Sequence, residues 1–472
     1  MRLFLITFLS YLMVFVPVNA APEATSLLIK NATIVTMDAE KRVLRQATLA
    51  ITGSKIAAIG GAELEAHYQA DKVIDAQGNI LMPGMISLHN HTPMVAFRGM
   101  GEYAVGNILF DVMFPLEKEL LNRELIYVSA RHAAMELALG GVTLVTDMYY
   151  HEDEVARGTK EVGIRGVLGE SIIGFPVVDA PEPYGGLAYA EEFIKQYKDD
   201  PLITPAVAPH APYTVPPEKL REARALSEKY GVPLVMHMAE FPNEKELIQE
   251  RFKSMQGGET IIQYLDRVGV LAPNLVAAHV IYADENDIQI LKERGVGIGH
   301  NPKSNTKYNM GLAPAWKMYT EGLGIGLGTD GPMSSNQLDI FNVMPFTARI
   351  ARLRYEDPTA FTPLELVDMA TMGGARALDM EDKIGSLEVG KFADMIILDL
   401  SAPNMQPNYD VYATIAHSAY PSNVLTTIVH GEVVVEDRTL TKVDLEKHDR
   451  EWKKVTARVA EFRKTLKVEP QH

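Results

Sequence analysis

The chain is 472 residues long, enough to bury a large core and to carry a barrel with an appended domain. Its 45 Lys and Arg against 61 Asp and Glu leave a formal net charge of -16, which excludes a nucleic-acid or anionic-membrane surface as the main partner. Cysteine is absent, which excludes disulfides and a lipid-modified cysteine.

The amino terminus runs from Met1-Arg2 through an apolar stretch, Leu3 to Val18, to Val18-Asn19-Ala20. Charged, apolar and small residues in that order predict a secretory signal peptide over 1–20, cut after Ala20. The mature chain is then expected to be exported, periplasmic or secreted, with no stable membrane association. Residues 21–82 hold short, partly alternating apolar runs, Leu27 to Val35 and Ala47 to Ile59, broken by Thr52-Gly53-Ser54 and Gly60-Gly61. This is the texture of short strands. It returns over 384–443, so the two ends are expected to assemble one discontinuous β-sandwich domain.

Between them, 83–383 alternates short apolar runs with amphipathic helical stretches such as Glu218 to Tyr230. Eight runs can be counted: Ile80 to Leu88, Val142 to Asp147, Gly166 to Gly169, Ile203 to Ala208, Pro233 to Met238, Leu275 to His279, Val296 to His300 and Gly324 to Thr329. Strand and helix in alternation mean a parallel sheet with crossover helices, and eight units close a (β/α)8 TIM-like barrel of the α/β class. A charged tail over 444–472, apolar at helical spacing, is expected to pack as a surface helix.

Polar residues stand where the apolar runs end: His89 and His91, His210, His237 with Glu240, His279, and Asp330. In a barrel those ends converge on one rim. His89-Asn90-His91 puts two imidazoles on one side of a strand, able to meet one cation. With His237 and Asp330 they form a nitrogen-rich set suited to zinc, which iron, manganese or cobalt would also fit.

These landmarks resemble the amidohydrolase superfamily. Pro83 to His91, His237-Met-Ala-Glu240, Ala278-His279, Gly299-His300-Asn301-Pro302, Gly328-Thr329-Asp330-Gly331 and Gly390-Lys-Phe-Ala-Asp394 carry the resemblance. It is nearest the branch that deaminates methylthioadenosine and adenosylhomocysteine, and is also similar to triazine and pterin aminohydrolases. It implies a metal held by His89, His91, His237 and Asp330. Binuclear members of that family use a carboxylated lysine at the end of the fourth strand; 203–213 here has no lysine, so the resemblance implies one metal. It further implies Glu240 as proton shuttle, His279 orienting water, Asp330 receiving a proton bound for departing ammonia, and His300 in a supporting loop. On the substrate side it implies Glu117 at ribose hydroxyls, His210 at the base and Ser334 beside it. Where some relatives carry arginines after the third strand, this chain has Leu168-Gly169-Glu170-Ser171. Glu170 is expected to face the substrate and repel a carboxylate.

The function so implied is hydrolytic deamination of an aminated purine nucleoside of the adenosine, 5′-methylthioadenosine or 5′-deoxyadenosine type. The alternatives are a pterin or triazine aminohydrolase and a noncatalytic metal- or solute-binding relative. The partner is a small aminated heterocycle, and homo-oligomerisation stays open.

Overall fold

The computed structural model describes residues 22–102 and 108–464; the expected signal peptide lies outside them. At the centre is an eight-stranded parallel sheet whose strands follow chain order: Met85–Ser87, Val142–Tyr149, Arg165–Ile172, Ile203–Pro209, Leu234–Met238, Leu275–His279, Gly297–His300 and Ile325–Leu327, the first to eighth barrel strands. The sheet closes on itself. Leu88 N donates to Leu327 O at 2.9 Å and Asp330 N to His89 O at 3.0 Å. Helices cover the outside, while Ile86, Leu144, Val167, Ala206 and Val235 fill the interior. Burial on both faces is why these strands read as continuous apolar runs rather than alternating ones.

The expected first run, Ile80 to Leu88, is divided. Ile80–Pro83 pairs antiparallel with Met395–Leu398 in a second sheet, and the barrel begins at Met85. Gly84 is the joint: a Cβ there would stand 2.1 Å from Thr143 Oγ1, so only glycine lets the two chains approach this closely. The second sheet draws on both chain ends as expected, but its nine strands are hydrogen-bonded as one continuous sheet. The long strand Glu23–Val35 is its axis, pairing with Val43–Thr52 on one edge and with Tyr68–Asp75 and Ile80–Pro83 on the other. Ile29, Ile34, Leu49, Met395 and Ile428 form its own core.

A buried ion pair ties the sheet to the barrel. Arg165, at the start of the third barrel strand, donates through Nε to Asp394 Oδ2 at 2.5 Å, and His430 N donates to Asp394 Oδ1 at 2.7 Å. Phe392 lies between Lys55 Nζ, 3.3 Å from its ring centre, and the Arg165 guanidinium, 4.4 Å away. The Gly390-Lys-Phe-Ala-Asp394 motif therefore builds a junction. The tail forms the helix Leu445–Arg463, capped by Asp444, and packs against the helix Arg123–Leu139. There Arg131, with no exposed surface, reaches His448, Glu161 and Glu451, and Trp452 stacks on His132 at 4.0 Å.

Candidate metal centre and substrate cavity

His89 and His91 lie just beyond the first barrel strand, with Asn90 turned away between them. Asn90 Nδ2 donates to Thr329 Oγ1 at 2.7 Å and its Oδ1 accepts His91 N at 3.1 Å, so the middle residue anchors the pair to the eighth strand's end. His237 and His279 lie in the fifth and sixth strands, and Asp330 follows the eighth. Two overlapping triads, His89–His91–His237 and His89–His279–Asp330, each bring their ligand atoms within 4.8 Å of one another. Three of the imidazoles are oriented from behind. His91 Nδ1 meets Met148 O at 2.7 Å, His237 Nδ1 meets His210 O at 2.8 Å, and His279 Nδ1 meets Asn305 Oδ1 at 2.8 Å.

Those acceptors place the Nδ1 protons and leave the Nε2 lone pairs turned inward. His91 Nε2 and His237 Nε2 are then only 3.3 Å apart, and the buried His89 Nε2 has no hydrogen-bond partner. Asp330 Oδ1 stands 3.7 Å from both His89 Nε2 and His91 Nε2. Lone pairs facing one another repel unless a cation lies between them. Ligand bonds of about 2.1 Å to a tetrahedral ion imply donor separations of about 3.4 Å, close to these distances. Burial holds His89, His237 and His279 below the ordinary histidine range, in the neutral form that ligates. Burial alone would raise Asp330, but His89, His279 and His91 hold it at about 2. The donor set fits a divalent cation.

The backbone is bent to do this. Ala239, His279 and Asp330, all at or beside the centre, have left-handed φ of 50°, 74° and 61°. Gly328 passes so close to Asn301 that a Cβ would meet its Oδ1 at 2.1 Å, which accounts for the glycine of Gly328-Thr329-Asp330.

Glu240 extends from the turn after the fifth strand, its Oε1 3.6 Å from His279 Nε2. Burial and the Asp330 charge push its carboxyl well above the usual range. Glu244, which sequence reasoning missed, accepts Glu240 N at 2.7 Å and anchors that turn. Around the centre lies a cavity lined by His91, Glu240, His279 and Asp330, with Glu117, His210 and Ser334 also in its wall. The remaining lining is largely Met, Phe and Tyr, including Met113, Phe114, Tyr149 and Tyr308, and among the described residues it includes no Lys or Arg. Arg251 is held outside it, donating to Tyr213 O at 3.2 Å. His210 Nδ1 is 3.0 Å from Thr214 Oγ1, whose own proton goes to Ala211 O; Nε2 is therefore left as an acceptor. Burial lowers His210 to about 3. His300 is buried in the seventh strand outside the lining.

Glu170 corrects the sequence expectation. It is fully buried and absent from the cavity wall, which Ser171 enters instead. Neighbours in a strand face opposite sides, and Glu170 faces the helix Glu152–Val162, accepting Glu152 N at 3.1 Å. It forms a buried carboxyl group with Asp147, Glu152 and Asp179 rather than a wall of the substrate site.

Residues 80–434 match the model of the amidohydrolase family. The 5-methylthioadenosine/S-adenosylhomocysteine deaminase of Syntrophobacter fumaroxidans is 36% identical over 422 residues, 89% of this chain and 95% of its own length. The protein of that name from Caldanaerobacter subterraneus is 37% identical, covering 89% of this chain and 96% of its own. An adenosine deaminase from Xanthomonas campestris, solved with bound zinc, superposes with a TM-score of 0.88 at 31% identity, over 93% of this chain and 100% of its own. The fold extends to an atrazine chlorohydrolase from Arthrobacter aurescens, TM-score 0.82 at 23% identity, over 91% of this chain and 100% of its own. Family match, closed barrel and convergent donor set agree: the chain belongs to the amidohydrolase family.

Proposed function

We propose that this protein is a zinc-dependent hydrolytic deaminase of adenosine-type nucleosides, releasing ammonia. The carrying observation is the His89–His91–His237–Asp330 set with Glu240 beside it, opening on an aromatic cavity whose described lining holds no Lys or Arg. The relatives named as deaminases, and the adenosine deaminase solved with zinc, support this reading.

His89, His91, His237 and Asp330 would hold a divalent ion, and the chemistry it would supply when bound is a water acidic enough, with a pKa of about 7, to give a nucleophile at neutral pH. Glu240 takes a proton from that water and delivers it to a ring nitrogen, as a carboxyl in a dry, apolar setting can do. His279, its Nδ1 fixed by Asn305, holds its Nε2 toward the same space and sets the direction of attack. Asp330 takes the second proton from the attacking oxygen and passes it to the leaving amine. The carbon–nitrogen bond breaks, a carbon–oxygen bond forms, and ammonia leaves.

Phe114, 6.0 Å from the His210 ring, offers a face for the purine, and Glu117 takes the ribose hydroxyls. A lining without Lys or Arg favours substrates whose 5′ group carries no charge. Adenosine and 5′-methylthioadenosine should therefore outperform adenosylhomocysteine, whose carboxylate lacks a partner. The expected leader makes this an exported enzyme, which amino-terminal sequencing of mature protein beginning at Ala21 would establish. The function itself is tested by ammonia release from adenosine, methylthioadenosine, adenosylhomocysteine, a pterin and a triazine. Turnover of the pterin or triazine alone would overturn the nucleoside assignment while leaving the metal centre in place.

A further inference from the structure

Glu117 stands in the cavity wall on the helix Phe114–Leu120, only 6% exposed. No guanidinium or ammonium lines the cavity with it among the described residues. Its hydrogen-bond partner is Tyr149, the last residue of the second barrel strand, whose hydroxyl donates to Glu117 Oε1 at 2.7 Å. Tyr149 is itself 2% exposed and lines the same cavity, and its ring centre is 6.1 Å from that of His91. One side chain thus reaches from beside His91 to the Glu117 carboxyl.

A carboxyl in apolar surroundings has two weaknesses as a reader of hydroxyls. It turns freely about its last torsion, and it tends to hold a proton, which makes it a poorer acceptor. A phenol donating to one oxygen works against both: it pins the group and pulls its pKa down, leaving Oε2 to accept from substrate once the carboxyl is ionised. We propose that Tyr149 is a positioning residue that sets the substrate's sugar specificity by holding Glu117 as an acceptor for the ribose diol. This rests on the nucleoside reading and deepens it. Two pKa directions agree. Burial raises Glu117 to about 8 while the Tyr149 bond pulls it down, and burial with the Glu117 charge keeps Tyr149 a protonated donor. Tyr150, also raised by burial and by Glu117, is a further titratable group answering to this carboxyl, and burial keeps His210 neutral in the same cavity wall.

The test compares adenosine with 2′,3′-dideoxyadenosine on zinc-loaded wild type, Tyr149→Phe and Glu117→Gln. Tyr149→Phe keeps the ring and its packing, and metal content with thermal unfolding checks that the fold is intact. It should cost about ten-fold in kcat/KM for adenosine, through KM with kcat little changed, and leave dideoxyadenosine nearly untouched. In wild type, KM for adenosine should fall as pH rises through about 8. Losing the donor raises the Glu117 pKa, so that transition should move to higher pH in Tyr149→Phe and vanish in Glu117→Gln. Equal losses on both substrates, or an unshifted pH profile, would overturn the role of Tyr149 while the nucleoside reading stands. A wild type that deaminates no nucleoside overturns both.

Discussion

At the residue scale, the centre depends on atoms behind the ligands as much as on the ligands. Glu240→Gln keeps size and polarity but cannot shuttle a proton. It should retain metal by elemental analysis and lose kcat by roughly two to four powers of ten. Near-normal turnover with metal bound would remove Glu240 from the mechanism. Asn305→Ala takes away the acceptor that holds His279 Nδ1, and should cost about 10- to 100-fold in activity through misdirection of the ring. An unchanged kcat there would show that His279 is held by its strand alone. Neither Asn305 nor Glu244 could be singled out in advance. An asparagine inside a short helix and a glutamate four residues past Glu240 are ordinary surface patterns until the backbone brings them inward.

At the scale of elements, the start of the helix Glu152–Val162 is pressed against the ends of the second and third barrel strands, closing Asp147, Glu152, Glu170 and Asp179 into one buried group. Burial and the neighbouring Asp147 charge raise Glu152 well above the usual range; burial and Asp179 do the same to Glu170. Both therefore hold protons when folded that they release when unfolded at neutral pH. The folded state binds more protons above the unfolded value of about 4.5, so this contribution is complete below that pH and drains away as pH rises. Glutamine mimics a protonated carboxyl. Glu152→Gln with Glu170→Gln should match wild type in thermal midpoint near pH 5 and exceed it by several degrees near pH 9. A double variant less stable than wild type at high pH would mean that the ionised forms are the native ones.

For the whole molecule, the four proposed ligands come from three separate places in the barrel, after the first strand, in the fifth and after the eighth, so an ion bound there would cross-link the two ends of the barrel sequence. Metal bound only by the folded chain stabilises it by mass action, about 4 kcal/mol when the ion is at a thousand times its dissociation constant. Chelation should abolish activity and lower the thermal midpoint, and zinc should restore both. A midpoint indifferent to chelation, with activity lost, would mean that the folded chain holds the ion no more tightly than the unfolded chain does. The Arg165–Asp394 pair makes the second sheet part of the same unit, since Arg165 begins the strand that ends beside the cavity.

Sequence alone determined what depends on period and on residue chemistry. Eight apolar runs alternating with helical stretches define the barrel, because strands buried on both faces must be continuous in apolarity. His-x-His, His237, His279 and Asp330 at the run ends define the donor set, because those chemistries share no other common purpose at one rim. Tertiary structure decided which way each side chain turns. Glu170 and Ser171 are adjacent, and only the register of the third strand sends the serine to the cavity and the glutamate into the helix layer. It also decided that Ile80 to Leu88 serves two sheets, since the contact of Gly84 with Thr143 joins residues 59 positions apart. The bond from Tyr149 to Glu117 belongs to the same class: two ordinary residues on different elements whose meeting depends on a helix docking over a strand, which no local pattern records.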